Sequence, residues 1–271
     1  MGKKKRREIP HFNTPIIETH CHLDYLDADQ LSQVLAMSSE VGIDRIITIA
    51  VSPDNLDKVI QLSRQADNIW TTQGIHPHQA DLFDADVGAL IRQHLSDPRV
   101  VAVGEIGLDY HYDHVDRKVQ TSVFEQQLQI AVDHDMPVVV HTREADEDTW
   151  AILQNFTSIL QRKGVIHSFT SGAELAQRCL GEGFFLGFNG IATFARAENV
   201  REIVAATPLE QMLLETDAPY LTPVPYRGKP NAPYFLPFIA EKLAQIKNCE
   251  IEHLLQRVRA NSLALFFEIA N

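Results

Sequence analysis

Val100-Val101-Ala102-Val103-Gly104 is a short apolar, β-branched run of strand length, and it leads directly into Glu105-Ile106-Gly107-Leu108-Asp109, so a strand ends in carboxylates. Seven more runs of this kind occur: Ile16–Thr19, Arg45–Ala50, Ile69–Gln73, Pro137–His141, Gly164–His167, Phe184–Gly187 and Met212–Glu215. Their starts lie about 28 residues apart on average, which suits a strand, a crossover helix and two loops. Helical periodicity is clear in Leu31–Glu40, Asn55–Gln65, Val119–Asp133 and His253–Ile269. Eight such units in about 250 residues match an α/β fold, a single (β/α)8 TIM barrel. An open doubly wound sheet usually carries fewer strands and often a glycine-rich phosphate loop, and the sequence has no such loop. No linker divides the pattern. The Pro- and aromatic-rich stretch Pro219–Pro237 follows the eighth run, where such a barrel places an active-site loop. The expected organisation is a flexible basic arm at 1–15 and one barrel domain at 16–271.

Composition narrows the class. With 271 residues, 45% of them hydrophobic, the chain can build one large core and needs no disulfide framework. No apolar run approaches the ~18 residues of a membrane span. Cys21, Cys179 and Cys249 are widely spread with no Cys-x-x-Cys spacing, which suggests neither a disulfide framework nor a thiolate zinc site and fits a reducing cytoplasm. The formal net charge of −12 argues against a general duplex binder. Five cations sit together in Lys3-Lys4-Lys5-Arg6-Arg7, so the body is more acidic still. No apolar stretch of secretion-signal length follows that run before Pro10.

The residues that end the strands carry the chemistry. In Glu18-Thr19-His20-Cys21-His22, alternation puts Glu18, His20 and His22 on one face, and two imidazoles on one face can grip a metal. The other ends read Gly74-Ile75-His76-Pro77-His78, Glu105 to Asp109, His141-Thr142-Arg143, His167, and Glu215-Thr216-Asp217. In a (β/α)8 barrel these ends open at one rim, so residues some 200 positions apart converge on one pocket. Histidines and carboxylates without thiolates supply nitrogen and oxygen ligands for more than one divalent ion. Two ions ~3.5–4 Å apart suit the hydrolysis of phosphodiesters or amides. His94, His134 and His253 fall in helical patterns and His11, His111 and His114 in flanking segments, and these six read as solvated.

Taken together, these motifs resemble the TatD family of metal-dependent deoxyribonucleases, within the wider metal-dependent hydrolase group of TIM barrels. The carriers, in order, are His20-x-His22-Leu23-Asp24, Gly74-Ile75-His76-Pro77-His78, Gly104-Glu105-Ile106-Gly107-Leu108-Asp109-Tyr110, Pro137-Val138 leading to His141-x-Arg143, Leu214-Glu215-Thr216-Asp217-Ala218-Pro219-Tyr220-Leu221, then Pro225-Tyr226-Arg227-Gly228-Lys229 and Asn231. The resemblance implies that His20, His22, Glu105 and Asp217 hold one ion and that Glu105, His141 and His167 hold the second, with Glu105 as the bridge. It implies Asp217 as general base and His76 as a substrate contact rather than a ligand. Arg143 and Arg227 are the cations best placed in sequence for a phosphate. Phe194, Tyr110, Tyr226 and Tyr220 are candidates for stacking on bases. Two positions inside the barrel depart from the family pattern: Glu18 stands where Asp is usual, and Ser171 where Gly is usual.

The expected function is a metal-dependent hydrolase, a TatD-like deoxyribonuclease that removes nucleotides from single-stranded or frayed DNA ends with water activated by two divalent ions (Mg, Mn or Zn). The alternative is a two-metal amide or ester hydrolase, a deacylase acting on a small molecule or on acyl-tRNA. A third reading, a scaffold that keeps the site for structure only, sits poorly with a complete ligand set. No membrane association is expected.

Overall fold

In the computed structural model, residues 7–112 and 114–267 are described. Eight strands, β1 Ile16–Cys21, β2 Ile43–Thr48, β3 Ile69–Gln73, β4 Val100–Asp109, β5 Val138–Arg143, β6 Gly164–Ile166, β7 Phe185–Phe188 and β8 Met212–Leu214, form one parallel sheet in sequence order. Helices α1 Ala28–Glu40, α2 Leu56–Ser63, α3 Ala85–His94, α4 Arg117–Asp133, α5 Asp146–Phe156, α6 Ala173–Gly181 and α7 Glu198–Ala206 follow β1 to β7 in turn, and α8 Leu236–Lys247 and α9 Ile251–Phe266 follow β8. The seam between β8 and β1 is drawn together by side-chain bonds and by two backbone ones. Asp217 N donates to His20 O and His22 N to Ala218 O, each at 2.8 Å, and Cys21 bridges Ala218 in parallel. The (β/α)8 barrel read from the run spacing is the fold.

Helix starts follow from local chemistry. Asp27 accepts from Gln30 N while Gln30 reaches back to Asp27 N, a capping box on α1. Asp84 and Asp116 cap α3 and α4 through Val87 N and Lys118 N. Most of the core lies between strands and helices. A second cluster, Ile47, Ile49, Val101, Val139, Val165 and Leu213, meets Leu265 and Phe266 of α9. Arg45 stacks on both Trp70 and Phe267 beside it. No helix among the described residues is long and apolar enough to cross a membrane.

Two expectations need correction. The Pro219–Pro237 loop ends sooner than expected, because Pro237 lies in the first turn of α8, where a missing N–H costs nothing. Residues 7–15 of the expected flexible arm lie against the barrel. Arg7 forms a bidentate pair with Glu241 at 2.6 and 2.7 Å, Tyr226 Oη donates to Arg7 O, and Glu252 accepts from Asn13 N and from Thr14 N and Oγ1. Residues 1–6, with Lys3, Lys4, Lys5 and Arg6, lie outside the described residues.

Candidate metal centre

β1 delivers two imidazoles because alternation turns Glu18, His20 and His22 to one face, while Cys21 Sγ sits 3.7 Å from Ile47 O. β4 runs to Asp109, beyond the Gly104 limit of the sequence reading, since its pairing with β5 continues to Asp109 opposite Arg143. That register sets Glu105 and Asp109 beside His141. β6 and β8 are only three residues long, so His167, Glu215 and Asp217 stand just beyond their ends at the rim.

All six residues expected as ligands meet there. Glu105 Oε1 lies 2.8 Å from His167 Nε2 and 3.0 Å from His141 Nδ1, while Glu105 Oε2 lies 3.3 Å from His20 Nε2. Asp217 Oδ1 is 3.5 Å from His22 Nε2 and 3.8 Å from His20 Nε2. Two atoms each about 2.1 Å from a tetrahedral ion lie about 3.4 Å apart; the 3.3–3.8 Å separations of His20 and His22 from the two carboxylates are near that value, while the 2.8 and 3.0 Å ones are hydrogen-bond lengths. Three groups have ligand atoms within 4.8 Å of one another: His20, His22 and Asp217; His20, Glu105 and His167; and His76, Glu105 and His141. His76 Nε2 thus stands 3.5 Å from Glu105 Oε1, just beyond the 2.8–3.3 Å of the expected ligands.

The donors fit divalent ions on a second observation. His20 is 1% exposed, its ring stacks on His167 at 3.9 Å, and neither of its ring nitrogens has a hydrogen-bond partner. A buried polar atom left bare costs about 1–3 kcal/mol. A cation between the His20 nitrogen, Glu105 and Asp217 would satisfy it.

Charge is arranged to match. Burial pushes the Glu105 carboxyl up, but the charge of His167 and hydrogen bonds from His141 and His167 overcome this and hold it well below the usual carboxylate range. Burial likewise raises Asp217, and the bond from His22 with the charges of His20 and His167 brings it below its ordinary value. Both are ionised at neutral pH. Burial lowers His76 well below its ordinary value, against the charge of Glu105, so it stays neutral.

A second layer orients these groups. Asp109 Oδ2 lies 2.9 Å from His141 Nε2, which turns Nδ1 toward Glu105, and 3.0 Å from His78 Nε2. Glu215 accepts from Ser168 N at 2.5 Å and stands 3.7 Å from His167 Nδ1, leaving Nε2 for Glu105. Gly187 makes room for it, since a Cβ there would lie 2.4 Å from Glu215 Oε2. Glu18 Oε1 accepts from His20 N and Thr216 N at 3.0 and 2.9 Å, and burial pushes this carboxyl up to about 8. The longer side chain at this position thus ties β1 to the β8 end. Ser171 is not among the residues with positive φ; the left-handed position in that loop is Ser168, at φ 48°. The loop does not require a glycine at 171.

The pocket around these groups is a cavity of about 810 Å3 whose lining includes Arg143, Tyr25, Tyr112 and Tyr220. Arg143 lies over the Tyr112 ring at 4.8 Å. Arg227 is not on this wall and lines an adjoining cavity with Phe194. Of the stacking candidates, Tyr220 reaches the pocket, 6.3 Å from His22. Tyr110 is tied through its hydroxyl to Asp148 and covered by Arg117, and Tyr226 packs on Phe235 and Phe238 beside Arg7. His114, expected as solvated, lines the pocket, and His94 bonds Gln73 and pairs with Asp57. Sequence reading named Asp109 and Glu215 as strand-end residues without a role, and Tyr25 and Tyr112 escaped it.

Comparisons with known proteins agree with this geometry. The family model described as TatD related DNase matches residues 17–267. A metal-dependent hydrolase of Escherichia coli K12, YcfH, is 36% identical over 256 residues, covering 93% of this chain and 95% of its own. The 3'-5' ssDNA/RNA exonuclease TatD of Erwinia amylovora is 34% identical over 245 residues, 88% of this chain and 94% of its own. The crystal structure of YjjV, a TatD homolog from Escherichia coli K12, superposes with a TM-score of 0.89 at 29% identity, covering 94% of this chain and 98% of that one. With histidines and carboxylates gathered at the rim of the barrel and the match running from the first strand to the last helix, the chain belongs to the TatD related DNase family of metal-dependent hydrolases.

Proposed function

We propose that the protein is a deoxyribonuclease that removes nucleotides from single-stranded or frayed DNA ends, using two divalent ions. His20, His22, Glu105 and Asp217 would hold one ion and Glu105, His141 and His167 the other. The observation that carries this reading is the split of Glu105: Oε1 faces His141 and His167 at 3.0 and 2.8 Å, and Oε2 faces His20 at 3.3 Å. One carboxylate thus addresses two sets of imidazoles, as a bridge does. When bound, such a pair of ions lowers the pKa of water and offsets negative charge on a phosphodiester.

The side chains divide the remaining work. Asp217, ionised and open to the pocket beside His22, is positioned to accept a proton from the attacking water. His76 Nδ1 accepts from His78 N at 3.1 Å, so the neutral ring carries its proton on Nε2. A protonated nitrogen does not ligate. Although His76 lies near Glu105, it is assigned as a donor to a phosphate oxygen. Arg143, held against Tyr112, adds a cation at the pocket wall, and Tyr25 and Tyr220 present aromatic edges to a splayed base. The name of the Erwinia amylovora relative supports a single-stranded substrate. The deciding experiment strips the protein of metal, adds Mg, Mn or Zn in turn and follows a labelled single-stranded oligonucleotide. Shortening from one end with at least one metal is the expected result. Turnover of amides or esters with the oligonucleotide left intact would overturn the proposal in favour of carbonyl chemistry.

A further inference from the structure

A second cavity, of about 410 Å3, opens beside the metal pocket and shares Thr170 and Ile191 with it. Two guanidinium groups from different loops face it: Arg196 from the β7–α7 connection and Arg227 from the β8–α8 connection. Both are exposed, and neither has a carboxylate partner among the described residues. No Asp or Glu lines the cavity. Arg201 nearby, by contrast, pairs with Glu198 at 2.9 Å. Two arginines on one small wall with no carboxylate beside them make it electropositive, a charge that a bound anion would offset. Arg227 is also pre-positioned. Its guanidinium carbon lies 3.8 Å from the Phe194 ring centroid. Stacking of this kind fixes the plane of the fork and leaves its N–H edges free for an oxyanion.

We propose that this cavity is a phosphate subsite, in which Arg196 and Arg227 hold the phosphodiester next to the one being cleaved. This rests on the nuclease reading and deepens it. The preferred substrate becomes a polynucleotide spanning both cavities, rather than a dinucleotide or a small phosphoester. Thr170 and Ile191, common to the two cavities, mark where the chain passes between them.

The test compares kcat/KM of the metal-loaded enzyme on a dinucleotide and on a tetranucleotide of the same base. The wild-type protein is expected to favour the tetranucleotide at least tenfold. Arg196→Ala should bring that ratio to within about threefold of unity, chiefly through KM, and should flatten the salt dependence on the longer substrate by about 0.7 in log–log slope for the lost phosphate contact. Arg196→Lys, which keeps the charge and loses the fork, should fall between. Arg196 is exposed and has no partner among the described residues, so thermal melts should show the variants folded. A wild-type preference that persists in Arg196→Ala and Arg227→Ala, or losses equal on both substrates, would overturn the subsite. Cleavage of both substrates by the wild type with no length preference would also overturn it while leaving the nuclease reading standing, and cleavage of neither would overturn both.

Discussion

Glu105→Gln tests the centre most directly, because the amide keeps the size of the side chain and removes its charge. Glu105 is 3% exposed and its oxygens lie 2.8–3.5 Å from four imidazoles. At an effective dielectric of ~20, two unit charges about 4 Å apart attract by about 4 kcal/mol. A divalent ion doubles the charge, and the desolvation of carboxylate and ion takes back part of that gain, so about 4 kcal/mol per ion is the working figure. At 1.4 kcal/mol per tenfold, binding of an ion beside Glu105 should weaken ~10³-fold. Metal content measured by mass spectrometry after desalting should fall from two ions per chain to one or none. Oligonucleotide cleavage should fall at least as far as the affinity. The fold should survive in circular dichroism, since His141 keeps Asp109 and His167 keeps Glu215 as partners. A variant that retained two ions at wild-type affinity, or that cut DNA within tenfold of the wild-type rate, would refute the bridging role.

Four further outcomes follow from the same geometry. Asp109→Asn removes the carboxylate that orients His141 and should cost ~10–100-fold in metal affinity, read by titration calorimetry. His76→Gln should leave the metal content at the wild-type level while lowering cleavage by ~10²-fold, the pattern of a lost donor and not of a lost ligand. Gly187→Ala would push on Glu215 and should lower stability by about 1–3 kcal/mol, seen as a melting temperature reduced by several degrees. Asp97 accepts from Arg99 N and from Arg64. Burial raises its carboxyl, but these bonds and the two guanidinium charges bring it below the ordinary value. Its stabilisation is present above the unfolded pKa of about 3.8 and is lost as pH falls through the lower folded value. Asp97→Asn should therefore melt ~2–4 °C below wild type at pH 7 for a loss of about 1 kcal/mol, with the gap closing as pH falls below the unfolded pKa and through the lower folded one.

The barrel was legible in the sequence because each strand is a short apolar run with polar residues at one end only, and that asymmetry marks the rim. The cluster at the rim was legible for the same reason: Glu105, His141, His167 and Asp217 stand at or just beyond strand ends. What escaped depends on facts that are not local. The role of Asp109 requires the register that sets β4 beside β5. The proton on His76 Nε2 is decided by a backbone N–H two residues on. Tyr110 and Tyr226 look like free loop aromatics until their hydroxyls are traced to Asp148 and Arg7 O. α8 was hidden because its start lies inside a Pro- and aromatic-rich stretch that reads as loop.

Net charge is the property whose meaning shifts most between sequence and structure. A value of −12 treats the chain as one body repelling a polyanion, yet at physiological salt a charge acts over about 8 Å. At the metal pocket, the acidic groups Glu105, Asp109, Glu215 and Asp217 are interleaved with His20, His22, His78, His141 and His167, and on the proposed reading they are cation ligands or hold those ligands in place. The guanidinium groups at the rim are Arg143 on one side, and Arg196 and Arg227 beyond Thr170 and Ile191 on the other. A phosphate arriving there meets the fields of those arginines and of any bound ions, while carboxylates elsewhere on the surface are screened. On the proposed nuclease reading, the acidic excess therefore weighs more against a duplex lying along the body than against one flexible strand entering the rim.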